Sequence, residues 1–243
     1  MFNGFFFYYG IDWGYIVLVL PAVIFSLWAS INVNSTFEKY ANVKSHYGIT
    51  GAKAARRMLD ENGLSHVKIE RVGGKLTDHF DPRTNVIRLS QSTHDSTSPA
   101  AIGVAMHEAG HAVQYATNYK PIKFRQKIIP ITNIGSKLAI PLILVGTLLS
   151  YLGGIYSYVA LAGVALYGFC VLFQLVTLPV EFNASQRAVK ALENTYMLMD
   201  DEKPIVKKVL SAAALTYVAA LAVSLAQLLR LFLIVSRNNG RRR

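Results

Sequence analysis

Three long uncharged runs, Trp13 to Phe37, Leu138 to Val180 and Val209 to Leu229, constrain this chain more than anything else in it. A helix that crosses a bilayer core needs about 20 mostly apolar residues, because its backbone polar groups can be satisfied only within the segment. The first and last runs each supply one span. The middle run is long enough for two, with Gly153-Gly154 placed where a turn should be. The expected architecture is a mainly α membrane protein with four transmembrane helices and a small polar α+β domain between the first and second. The overall balance agrees: 52% of the 243 residues are hydrophobic and the mean hydropathy is +0.32, too apolar for an ordinary soluble domain.

The formal charge of +11 follows topology rather than nucleic acid. Lys120, Lys123, Arg125, Lys127 and Lys137 crowd the start of the second span, and Lys39 and Lys44 follow the first. By the positive-inside tendency that side is cytoplasmic. No basic helix carries the aromatic interleaving of a nucleic-acid module, so no nucleic-acid partner is expected. Cys170, the only cysteine, falls inside an apolar run, which excludes a disulfide framework and argues against a thiolate metal site. Residues 1 to 12 hold no Lys or Arg, and the apolar stretch that follows exceeds a usual signal-peptide core. We therefore expect an uncleaved anchor.

In chain order, residues 1–32 read as the anchor, with a span from Ile11 to Asn32 flanked by Trp13 and Trp28. Residues 33–137 read as the polar domain, 138–180 as a helical hairpin, 181–203 as a helix and loop, and 204–243 as a last span with a basic tail. Within the polar domain Thr50 caps a short helix, Ala52 to Asn62, whose Arg56, Arg57, Asp60 and Glu61 form a solvated face. Val67 to Val72 and Asn85 to Leu89 read as strands. The alternation of the second, Val86 and Arg88 against Ile87 and Leu89, suits a half-exposed edge. Ser98-Pro99 starts a helix from Ala100 to about Tyr119, ended by Pro121. The tail, Arg237 and Arg241 to Arg243, opposes the positive-inside tendency if the last run crosses. Either charge placement is imperfect there or the run lies buried or interfacial; a true span is our expectation.

The helix from Ala100 carries His107-Glu108-Ala109-Gly110-His111. At ~3.6 residues per turn, histidines four apart share one face, and both imidazoles can reach one metal ion. Glu108 can lean toward a water on that ion, the H-E-x-x-H arrangement of zinc peptidases. Zinc suits two imidazoles, and catalysis needs a third protein ligand with one position left for water. The third must be an acid on the same membrane side. A hairpin crosses twice and returns the chain there, and Glu181 is the first charge to emerge. Its alternative reading is a helix N-terminal acid that complements the dipole. Glu193, Asp200, Asp201 and Glu202 read as solvated charges, and His79 and His94 lack partners at metal spacing. Gly110 costs the helix roughly 1 kcal/mol against alanine, which room for a substrate or a neighbouring helix could offset.

His-Glu-Ala-Gly-His followed, after a membrane hairpin, by Glu-Phe-Asn-Ala-Ser resembles the membrane-bound neutral zinc metallopeptidases of the YugP type. These are similar to the gluzincin clan, with its heat-shock membrane proteases and CAAX prenyl proteases. The resemblance covers nearly the whole chain. It implies a zincin-like domain, Zn2+ as cofactor, His107, His111 and Glu181 as ligands, and Glu108 as catalytic base. It also implies that Asn85, Val86, Ile87, Arg88 and Leu89 form the edge strand along which a peptide lies. Related families carry Asp where this chain has Ser185. That Asp orients a ligating histidine, and a hydroxyl does so more weakly than a carboxylate. For a second oxyanion donor, Tyr217 is the polar-tipped candidate in an otherwise apolar run.

The expectation is thus a zinc endopeptidase of a bacterial inner membrane, its catalytic domain cytoplasmic and its substrates peptides or membrane proteins. One alternative is an intramembrane site-2-type protease, since Ser96 to Tyr119 carries Glu108 as its only formal charge. Against it stand the polar Ser98-Pro99 cap and the lack of an Asp-Gly motif in a later span. The other is a non-catalytic scaffold with structural zinc, which would need a fourth protein ligand.

Overall fold

The apolar runs fold as the helices they predict. A computed structural model describes residues 12–74 and 76–240. Ile11, the first residue of the expected anchor span, and the tail residues Arg241 to Arg243 lie outside the described residues. The main elements are α1 (Tyr15–Ala41), α2 (Gly51–Glu61), β1 (Lys68–Val72), β2 (His79–Asp81), β3 (Val86–Ser90), α3 (Pro99–Ala116), α4 (Lys120–Leu149), α5 (Ile155–Thr195) and α6 (Lys203–Gly240), with a single helical turn, Gln91–His94, between β3 and α3. Among the described residues α1, α4, α5 and α6 are long and apolar enough to cross a membrane. The chain divides into two compact units.

One unit holds the chain to Trp28, Phe124–Thr177 and the chain from Tyr217 onward. Here α4 and α5 form the expected hairpin, turning through Ser150–Leu152 and Gly153. Two glycines let the helices close: a Cβ on Gly146 would strike the Ala160 backbone, and one on Gly163 would come within 2.7 Å of the Ala139 carbonyl. Such small-residue contacts are how membrane helices gain packing without a hydrophobic drive between them. Ile143, Ala160, Val164, Leu231 and Val235 form the buried cluster, while Leu148, Phe169, Leu175 and Phe232 face outward. Arg230, on the fourth apolar helix, is buried and pairs with Asp12 at 2.9 Å, its guanidinium over the Tyr15 ring.

The other unit joins Ala29–Lys123 to Leu178–Thr216. Its core draws Met58 and Leu59 from α2, Ile87 and Leu89 from β3, Ile102 and Met106 from α3, Ala188 and Leu192 from α5, and Val206 and Leu210 from α6. Thr50 caps α2 by accepting from the Lys53 N–H at 3.3 Å, as its position predicts.

The three-stranded sheet has the order β1-β3-β2, with β1 parallel and β2 antiparallel to β3. This corrects the expected edge strand. Val86–Ser90 is the central strand, and Val86, Ile87, Leu89 and Ser90 are all buried, so both faces are covered. The apparent alternation at Arg88 misled, because Arg88 stays half-buried through its pairing with Asp81 and Glu70 on the flanking strands. Two further expectations change. Pro121 stands in the first turn of α4, and α3 ends earlier, at Ala116, where Asn118 takes a positive φ of 55°. Glu202 is buried rather than solvated, and its carboxylate accepts from the His46 and Met199 backbone N–H groups at 2.7 and 2.8 Å.

Candidate metal centre

The helix that carries the two histidines is set by its own ends and by its neighbours. Ser98 accepts from the Ala101 N–H at 3.1 Å, and Pro99 fills the first turn, where a missing N–H costs nothing. Ala105 and Ala109 pack into the core, leaving His107 and His111 along one ridge. Their rings lie 4.7 Å apart, nearly perpendicular. Gly110 explains how a second backbone approaches that ridge: a Cβ there would stand 2.7 Å from the Ala184 carbonyl oxygen of α5. The room that Gly110 makes is for a neighbouring helix.

Glu181 is carried on that helix. It lies in the interior of α5, and the continuity of the helix from Ile155 to Thr195 removes the reading of an N-terminal dipole acid. Its Oε2 is 3.3 Å from His107 Nε2 and 3.5 Å from His111 Nε2, and its side chain is only 4% exposed. Among the described residues, His107, His111 and Glu181 form the one His/Cys/Asp/Glu group whose ligand atoms lie mutually within 4.8 Å. Zinc ligands about 2.0–2.1 Å from a tetrahedral ion lie about 3.3 Å from one another. The donor set and its spacing therefore fit zinc.

The outer ring atoms are held as well. His107 Nδ1 lies 3.0 Å from Ser185 Oγ, and His111 Nδ1 lies 3.0 Å from Gln114 Oε1. The Gln114 amide nitrogen donates to the Val180 carbonyl at 2.7 Å and to Asn183 Oδ1 at 3.0 Å. With that nitrogen committed to two acceptors, the atom facing the ring is Oε1, an acceptor, so His111 donates from Nδ1–H and turns its Nε2 toward Glu181. Burial alone would lower the pKa of His111. The hydrogen bond to Glu181 and the charges of Glu108 and Glu181 outweigh it, and the pKa stands above the usual histidine value. The field at the ridge thus favours a cation.

Glu108 is buried at 8% exposure, and its Oε2 accepts from the Phe80 backbone N–H at 2.9 Å. Phe80 belongs to β2, an outer strand of the sheet, and its ring meets Tyr115 edge-on at 5.4 Å. Asn85 to Leu89 lie one strand further in. Tyr217 belongs to the other unit. His79 bonds to the Thr77 carbonyl and His94 to Asp95, and neither joins the metal group.

A family model described as "Putative neutral zinc metallopeptidase" matches residues 15–236. The chain belongs to this zinc metallopeptidase family. A further comparison agrees with that placement: "Putative membrane protease YugP" of Bacillus subtilis (strain 168) is 47% identical over 227 residues, 93% of this chain and 98% of that protein. No solved structure matches the chain. Two residues beside the centre, Gln114 and Phe80, stand outside the motif pattern of such a metallopeptidase. Gln114 could have been found, since it lies three residues after His111 and so on the same helical face. Phe80 acts through its backbone, which no side-chain pattern announces.

Proposed function

We propose that this protein is a zinc-dependent membrane endopeptidase whose ligands are His107, His111 and Glu181 and whose catalytic base is Glu108. The observation that carries the reading is the convergence of two imidazole Nε2 atoms and one carboxylate oxygen beside a second, separately anchored carboxylate. Zinc held there would supply Lewis acidity, bringing the pKa of a water toward about 7 and polarising the scissile carbonyl. Glu108 takes the proton of the attacking water on its carboxylate and returns it to the leaving amine nitrogen. The Phe80 N–H keeps that carboxylate from rotating away. Ser185 and Gln114 hold the two imidazole planes.

The peptide runs along β2 rather than along Asn85 to Leu89. A residue of an antiparallel strand directs its N–H and C=O to the same edge. The N–H of Phe80 reaches Glu108, so its carbonyl is on the catalytic edge and accepts from an added substrate strand. The proposed setting is a bacterial inner membrane, with the centre cytoplasmic and with peptides or membrane proteins as substrates; the basic residues after the first apolar run and before the second support this orientation. An intramembrane reading is less well supported, because α3 is covered by protein, with Ala101, Ile102, Ala105 and Met106 fully buried. A structural site would need four protein ligands, and three converge among the described residues.

The test uses purified full-length protein. Glu108→Gln should keep one zinc per chain and lose peptide cleavage by about 10²–10⁴-fold. Glu181→Ala should lose the zinc. Full cleavage by the first variant, or unchanged zinc in the second, removes that residue from its role.

A further inference from the structure

Three lysines line a groove that the peptidase chemistry does not use. The groove has a volume of about 500 Å³ and lies between the last turns of α1 and the first turns of α6. Asn32, Thr36 and Lys39 face it from α1, and Lys208, Ala212 and Leu215 face it from α6, with Lys207 beside them. Each set follows the four-then-three spacing of a single helical stripe. Both stripes pass from charge into uncharged sequence, polar on α1 and apolar on α6. Asn32 and Thr36 belong to the uncharged run that ends at Phe37, with Lys39 just beyond it. Leu215 and Ala212 belong to the run that starts at Val209, with Lys207 and Lys208 just before it. Lys207 shares its charge with Glu193 at 3.1 Å. Lys39 lies over the Tyr40 ring, and neither Lys39 nor Lys208 is paired with a carboxylate among the described residues.

We propose that this groove binds the headgroup of an anionic phospholipid. The lysines take a phosphodiester whose charge no headgroup cation offsets, the Thr36 hydroxyl takes the glycerol oxygens, and Ala212 and Leu215 lie against the start of the acyl chains. Basic pockets between apolar helices at a membrane surface recognise such headgroups. A free phosphate shares the charge but has no use for the apolar end of the stripe, and that end decides for the lipid.

The probe is phosphatidylglycerol against phosphatidylcholine, offered in equal amounts in detergent micelles to the full-length protein, with retained lipid counted by native mass spectrometry. Each lysine near a phosphate is worth about fivefold in retention, so the two unshared lysines predict about 25-fold. The double variant Lys39→Gln/Lys208→Gln should lose the preference for phosphatidylglycerol by about that factor, and the Lys39→Arg/Lys208→Arg pair should keep it. Should the glutamine pair fail to fold, salt gives the same reading on the parent: roughly 0.5 M ionic strength shortens screening to a few ångström and should release the lipid. Equal retention of the two lipids by the parent overturns the proposal. Unchanged preference in the glutamine pair, or indifference to salt, does the same. Glycerol 3-phosphate or inorganic phosphate that displaces the lipid with the same lysine dependence, and binds equally without it, would reassign the groove to a soluble phosphate and overturn the lipid assignment.

Discussion

At the scale of single residues, the proposed centre depends on side chains outside its ligand set. Ser185 and Gln114 each fix one imidazole, and removing such a partner typically weakens a site by 10–100-fold. Ser185→Ala and Gln114→Leu should each lower zinc affinity by that factor in a competition titration with a chelator. Gln114→Leu should have the larger effect, since it also strands the Val180 carbonyl and Asn183. An unchanged affinity in both would mean that the rings are held by packing alone. Asp81 gives a pH-dependent counterpart. It accepts from the Arg83 N–H, the Thr84 hydroxyl and Arg88, which together hold its carboxyl down to about 2 from an ordinary 3.8. A depressed carboxyl contributes stability that is present above pH 3.8 and is lost as the pH falls through 2. Asp81→Asn should therefore lower the thermal transition at pH 6, and its gap from the parent should shrink between about pH 4 and 2. A gap that stays constant through that window would assign the effect to shape and not charge. The motif residues were legible because their chemistry lies in side chains at fixed spacing. Glu202 and Arg56 were not, because a charge on an exposed-looking helix or loop gives no sign that it reaches backbone groups such as the Leu64 and Val67 carbonyls.

At the scale of elements, the decisive contact is between α3 and α5, and it is made through backbone. Gly110 leaves no space for a methyl group against the Ala184 carbonyl. Gly110→Ala should favour an isolated helix by roughly 1 kcal/mol through propensity and yet destabilise the protein, since overpacking costs about 1–3 kcal/mol. It should also separate Glu181 from the histidines, so zinc affinity falls together with the thermal transition. A stabilised variant with full zinc would show that α5 can retreat without cost. The helices themselves were readable: apolar run length gave α1, the α4–α5 hairpin and α6, and Ser98-Pro99 gave the start of α3. The sheet differs from its sequence pattern at β3, which is central and buried. Five residues with one arginine look half-exposed in sequence, and only the pairing on both sides shows that Arg88 spans to acids on two neighbours. Helix junctions were likewise obscure, because a proline two residues past a helix can end one or begin the next.

At the scale of the molecule, charge placement and the origin of the ligands matter most. A single cysteine placed at Tyr196, which is 79% exposed, in a Cys170→Ser background should resist an impermeant thiol reagent in intact cells and react once the membrane is opened. Labelling in intact cells would reverse the proposed orientation. Arg230, buried against Asp12, shows that the fourth apolar helix tolerates a charge by pairing it, which run length alone does not reveal. The unit that holds the metal group is assembled from two stretches of chain with the hairpin between them. Seventy residues separate His111 from Glu181. A ribosome adding roughly 5–20 residues each second needs about 4–14 s to cover that distance. Throughout that interval the nascent chain owns both imidazoles and lacks the carboxylate, so under the proposed ligand set proteolytic competence waits until the whole hairpin has been synthesised.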